Sequence, residues 1–195
     1  MSELLVLYYS QAGSTEALAR QVCRGVDAVD GVASRLRTVP PVSSVAEASQ
    51  DEVPQDGPPY VTTQDLSECI GLIMGSPTRF GNMDASLKYF IDSTVAEWIS
   101  AAAVGKPFGL FTSTSSLHGG QESTLLSMAL PLIHHGMIYV GIPWTEPALS
   151  ATTTGGTPYG ASHVSWSREH ELSDDEMSLA RALGKRVAEI AQKLA

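Results

Sequence analysis

Short strand-like runs and longer helix-like stretches take turns along this chain. The strand-like runs are Leu4–Tyr9, Ala33–Val39, Ile70–Met74, Phe108–Phe111 and Met137–Val140. The first, six apolar or aromatic residues in succession, reads as a strand buried on both faces. Helix patterns fill most of the gaps, at Thr15–Val29, Asp84–Asp92 and Gln121–His135. A last helix is expected over Asp174–Leu194, with Ser173 as its N-cap and Asp174, Asp175 and Glu176 in its first turn, where the helix dipole favours negative charge. Strands alternating with helices predict an α/β fold, a doubly wound parallel sheet of five strands in one domain over residues 1–195. Two stretches break the rhythm and are expected as loop insertions. Pro40–Thr63 carries five prolines and reads as surface insertion with room for one short helix, and Pro143–His170 is turn-dense around Thr152–Gly160.

The chemistry collects where the strands end. After the first strand comes Ser10-Gln11-Ala12-Gly13-Ser14-Thr15, a hydroxyl-rich turn that opens a helix. Backbone N–H groups at a helix start lack intrahelical acceptors and, with the dipole, attract an anion, so this turn reads as a phosphate cradle. The third strand leads into Gly75–Met83 and the fourth into Ser113–Glu122, both rich in glycine and neutral hydroxyls. In doubly wound sheets ligands gather at the carboxyl ends of strands, so the three loops are expected to share one ligand. There is no G-x-G-x-x-G after Leu4–Tyr9, and Gly105-Lys106 runs into Pro107 without the upstream glycine of a P-loop. A hydroxyl-lined loop lacking those glycines suits a terminal phosphate monoester such as that of FMN.

Composition narrows the partners. A net charge of −9 with no cluster of Lys and Arg argues against nucleic acid and anionic membranes, so a phosphate must be gripped locally. No apolar stretch approaches the roughly 18–20 residues of a membrane span, and no basic region precedes Leu4, so neither a span nor a signal peptide is expected. Cys23 and Cys69 are far apart, without metal or disulfide spacing, which fits a reducing cytoplasm and no metal.

From Leu4 to the last helix the chain resembles the WrbA-type NAD(P)H:quinone oxidoreductases of the flavodoxin-like superfamily. The resemblance is carried by VLYYS at Val6–Ser10, GSPTRFGNM at Gly75–Met83, HGGQE at His118–Glu122, HHGM at His134–Met137 and GGTPYGA at Gly155–Ala161. It implies strand order 2-1-3-4-5, non-covalent FMN, and a homotetramer whose sites involve neighbouring subunits. By position, Ser10, Gln11, Ala12, Gly13, Ser14 and Thr15 are implied to hold the FMN phosphate, with help from hydroxyls around Thr114. Pro77, Thr78, Arg79 and Phe80 are implied to line the isoalloxazine ring, as are Ser113, Thr114, Ser115, Ser116, Leu117, His118 and Gly119. His134 matches a flavin-contacting histidine offered from across the site, and Trp98 an aromatic above the flavin at the substrate position. Two departures stand out. Relatives often carry an aromatic where this chain has Ala12, a position linked to nicotinamide contact, and a more glycine-rich loop where this chain reads SSLH.

Several residues admit a plainer role beside the functional one. Arg79 is read as a charge for the flavin or as a surface arginine paired with a carboxylate. Phe80 is read as packing on the ring edge or as plugging its loop into the core. Trp98 either stacks a quinone or is half-buried packing, His135 packs or caps, and Trp144 and Trp166 are structural or interface residues. Tyr159 either reaches a neighbour's site or seals its turn. The leading expectation is an FMN-dependent enzyme taking NADH or NADPH and then a quinone by ping-pong, the flavin carrying the hydride. The competing expectations are a flavodoxin-type single-electron carrier, which the acidic charge suits, and a regulatory protein that binds FMN only for stability.

Overall fold

The computed structural model describes residues 2–42, 57–165 and 171–195. The strands are β1 (Ser2–Tyr8), β2 (Val32–Thr38), β3 (Leu72–Pro77), β4 (Pro107–Thr114), β5 (Ile138–Tyr139) and β6 (Ala161–Val164). The helices are α1 (Ser14–Val26), α2 (Thr63–Glu68), α3 (Ala85–Asp92), α4 (Val95–Ile99), α5 (Gln121–His134), α6 (Pro147–Ala151) and α7 (Asp174–Leu194). All strands pair in parallel, in the order β2-β1-β3-β4-β5, and β6 also pairs with β4.

The expected strand order holds, with one correction to the strand count. The fifth position is occupied by two strands in succession along β4. β5 meets Pro107 and Phe108, and β6 meets Phe111 to Thr114. The turn-dense stretch expected as loop therefore interrupts a strand: it supplies α6 and then returns to the sheet as β6. Its GGTPYG turn is drawn close by Gly160, where a Cβ would sit 2.1 Å from the Leu110 carbonyl oxygen. Of the other expected insertion, residues 43–56 lie outside the described residues. Its end flows into α2, which is closed by a capping box between Thr62 and Asp65.

Alternation along β1 sorts the core into two layers. Leu4, Val6 and Tyr8 pack with Leu18, Val22 and Val26 of α1 and Leu179, Leu183 and Val187 of α7. Leu5 and Leu7 pack on the other side with Leu87, Phe90 and Ile91 of α3 and Leu125, Met128 and Leu132 of α5. Burying each such side chain contributes about 1.5–3 kcal/mol. Helices α1 and α7 touch backbone to backbone through two glycines. A Cβ on Gly25 would lie 2.0 Å from the Arg181 carbonyl oxygen, and one on Gly184 2.2 Å from that of Val22. This tight pair fixes the last turns of α1 against the middle of α7.

Candidate cofactor site

Helix α1 starts on a glycine because the turn before it bends through left-handed backbone. Gly13 is the N-cap at φ 93°, and its N–H donates to Ser10 Oγ at 3.0 Å. A glycine N-cap brings no side chain to close the helix end, so the first turn faces a recess of about 120 Å³. The recess is lined by Ser10, Gln11, Ala12, Ser14, Thr15, Pro77, Arg79 and Ser113. Hydroxyls and one guanidinium line it, and no carboxylate does. That donor set fits a phosphate.

The recess adjoins a groove of about 420 Å³ bounded by Ala12, Ser14, Pro77, Thr78, Arg79, Ser113, Thr114, Ser115 and Ser165, a size in the usual range for small-molecule sites. Its walls are fixed from behind. Thr78 N–H donates to the Ser113 carbonyl at 3.0 Å, and Thr78 Oγ1 shares a 2.7 Å hydrogen bond with Thr124 Oγ1 of α5. On the β4 side, Thr114 Oγ1 donates to the Ser116 carbonyl at 3.0 Å. Gln121, buried at the start of α5, threads this loop: its Nε2 donates to the Ser116 carbonyl at 2.8 Å and its Oε1 accepts from Gly119 N–H at 3.1 Å. Ser115, Ser116, Leu117 and His118 are exposed at the rim.

Arg79 pairs with a carboxylate, as its plainer reading has it, and also lines the recess and the groove. The carboxylate is that of Asp84, at 2.9 Å. Phe80 needs a correction. It does not plug its loop into the core: it sits fully exposed at the tip of the tight Arg79–Asn82 turn, with φ 53°. Phe80 and Gly81 both have positive φ, the backbone of a turn that normally takes Gly or Asn, so a phenyl there carries strain.

Trp98 and His134 stand elsewhere. They meet each other, with ring centroids 5.7 Å apart and Trp98 Nε1 donating to the His134 carbonyl at 3.1 Å. With Ile91, Val95 and Pro131 they line a separate, mostly apolar pocket of about 320 Å³. α5 runs back from the cradle to the opposite edge of the sheet, where Gly105 N–H donates to the Gly136 carbonyl. At 1.5 Å per residue its 14 residues separate His134 from the cradle by about 20 Å. Within one chain, then, the sequence-predicted residues form two groups: Ser10 to Thr15, Pro77 to Arg79 and Ser113 to Ser115 around the groove, and Trp98 with His134 far from it. His135 is buried as the C-cap of α5, its Nε2 sharing a 3.0 Å hydrogen bond with Thr94 Oγ1. Burial and the neighbouring His134 hold its imidazole below the ordinary histidine range. Trp144 is largely exposed, Trp166 lies outside the described residues, and the Tyr139 hydroxyl donates to the Tyr159 carbonyl in the GGTPYG turn.

Ser165, Gln121 and Asp84 were not singled out from sequence. Ser165 was hidden because β6, which delivers it to the groove, is four residues long within a stretch rich in Gly and Thr. Gln121 belongs to the HGGQE stretch, but only the fold shows its amide bracing the loop from within.

Comparison with known proteins agrees with this fold. Residues 3–146 match the family model for NADPH-dependent FMN reductase. The chain is 40% identical to an NAD(P)H dehydrogenase (quinone) of Chromohalobacter salexigens, with all of both chains covered. It is also 40% identical to one of Syntrophobacter fumaroxidans, with 98% of each covered. Among solved structures, a WrbA-like flavodoxin from Agrobacterium tumefaciens superposes over the whole of both chains with a TM-score of 0.72 at 25% identity. The chain belongs to the NADPH-dependent FMN reductase family.

Proposed function

We propose that the protein is an FMN-dependent NAD(P)H:quinone oxidoreductase, built as one flavodoxin-like domain over residues 1–195. The observation that carries this reading is the carboxylate-free recess of hydroxyl and helix-start donors opening into the groove. Ser10, Ser14 and Thr15 would hold the phosphate, and Pro77, Thr78, Arg79 and Ser113 to Gly119 would border the ring. Bound there, FMN would supply the hydride chemistry that links NADH or NADPH to two-electron reduction of a quinone. One groove would serve the nicotinamide and the quinone in turn, which is a ping-pong order. Ala12 is exposed and small at the groove's lip. The two family names and the 40% identity over full length support the same assignment.

Trp98 and His134 would join the site from another copy. They sit on a face that also exposes Val95 and Ile99 of α4 and Leu130 and Ile133 of α5, the last four all more than half exposed. A contiguous apolar face of this kind marks an interaction surface. A tetramer would bury it and carry the stacked Trp98–His134 pair to a neighbour's groove, Trp98 to stack the quinone and His134 to meet the ring. No helix among the described residues is long and apolar enough to cross a membrane. Cys23 and Cys69 are both free thiols, in keeping with a cytoplasmic location.

The test is spectroscopic and kinetic. FMN-loaded protein should be yellow and should oxidise NADH or NADPH in a manner that depends on added benzoquinone. Yellow protein that consumes neither nicotinamide with quinone present would overturn the enzymatic reading.

A further inference from the structure

We propose that Asp84 is a positioning residue that fixes Arg79 across the FMN site and sets the charge Arg79 presents to the cofactor. This rests on the FMN reading above.

The guanidinium of Arg79 is held on three sides. Nε lies 2.9 Å from Asp84 Oδ2, Nη2 donates to Gln11 Oε1 at 2.6 Å, and Nη1 donates to the Thr78 carbonyl at 3.1 Å. The side chain thereby spans from the β3–α3 loop to the β1–α1 loop, over the boundary between recess and groove. It is the one cation among the described residues lining either. Asp84 is itself immobile. Its side chain is 14% exposed, its carboxylate accepts from Ser86 N–H at 3.1 Å as the N-cap of α3, and its own N–H donates to Ser76 Oγ at 2.8 Å. Lys88, one turn along α3, is engaged by Asp92 at 2.5 Å, so the Asp84 charge falls on Arg79.

Charge decides the consequence. FMN takes on electrons when reduced, so a nearby cation favours the reduced state and a carboxylate opposes it. An unpartnered Arg79 would raise the cofactor's midpoint potential. Paired with Asp84, it contributes geometry and hydrogen bonds with much of that electrostatic pull cancelled. Asp84 therefore keeps the potential low, which favours passing electrons onward to the acceptor.

Asp84→Asn separates this from a structural role, because asparagine caps a helix as well as aspartate does while removing the charge. In FMN-loaded Asp84→Asn protein, the ratio of affinities for the reduced and oxidised cofactor should rise about tenfold, a shift of about +30 mV for a two-electron couple. The melting temperature should stay at the wild-type value. In an Arg79→Gln background the same substitution should shift the potential by less, since only the direct field of Asp84 is then removed and no guanidinium is released toward the cofactor. An unmoved potential in Asp84→Asn, or an equal shift with and without Arg79, would overturn the proposal. Wild-type apoprotein that stays colourless with FMN would instead bring down the cofactor reading on which it stands.

Discussion

Replacing Glu176 with glutamine tests the contact that binds the insertion, β6 and α7 together. The Glu176 carboxylate is 1% exposed and accepts four hydrogen bonds. Oε1 takes the N–H groups of Gly155 at 2.9 Å and Val164 at 3.0 Å; Oε2 takes Ser173 N–H and His163 Nδ1, each at 2.9 Å. Burial alone would push this carboxyl up, but the bonds from His163, Ser173 and Val164 outweigh it and hold the pKa at about 2, against an ordinary 4.5. A depressed carboxylate stabilises the fold above its unfolded pKa and loses that contribution as pH falls through the folded one. The difference amounts to about 3 kcal/mol, fully present above about pH 4.5 and gone by about pH 2. Glutamine keeps one acceptor oxygen and turns the other into a donor. Facing Ser173 and His163, its amide strands the Ser173 N–H and drives the His163 proton to Nε2, which has no partner among the described residues. At neutral pH the variant should be less stable by about 3 kcal/mol, or roughly 6–12 °C in Tm for a chain this long. Urea melts of both proteins between pH 7 and pH 2.5 should show the gap closing in acid. A gap that stays constant across that range would refute the reasoning.

Removing two phosphate donors together, Ser10→Ala with Thr15→Ala, should weaken FMN binding to apoprotein by about tenfold or more, read by quenching of flavin fluorescence. Trp98→Ala should raise the KM for quinone and leave FMN affinity near wild type; a larger loss of FMN than of quinone would count against stacking. Gly25→Ala should destabilise by more than about 3 kcal/mol, because its Cβ meets the Arg181 carbonyl oxygen at 2.0 Å and α1 and α7 must part; an unchanged melt would contradict the backbone contact.

What could be read from sequence was what local chemistry decides. β1 is apolar on both faces because both are covered, and Ser10–Thr15 needs only the chain order strand, turn, helix to become a cradle. Asp174–Leu194 announced itself through Ser173, whose hydroxyl accepts from Glu176 N–H in a capping box. The misses arise where neighbours in space decide. β6 has four residues, too few for a period, and is a strand because β4 offers a free edge beyond Tyr139. Phe80 looked like a core or ring residue by type, yet its left-handed backbone turns it to solvent. Trp98 and His134 are each legible as candidates, but neither their contact with one another nor their edge of the sheet is, since both depend on the direction in which α5 returns. Arg79 and Asp84, five residues apart, form an ion pair only because the tight turn between them folds the chain back.

The central claim is that amide and hydroxyl donors at the carboxyl edge of the sheet seat a flavin by its phosphate. Titrating apoprotein in parallel with FMN and with riboflavin, which has the same ring and no phosphate, tests this most directly. The account predicts that FMN binds at least tenfold more tightly than riboflavin, an advantage that Ser10→Ala with Thr15→Ala erodes. Equal affinity for the two flavins would contradict it.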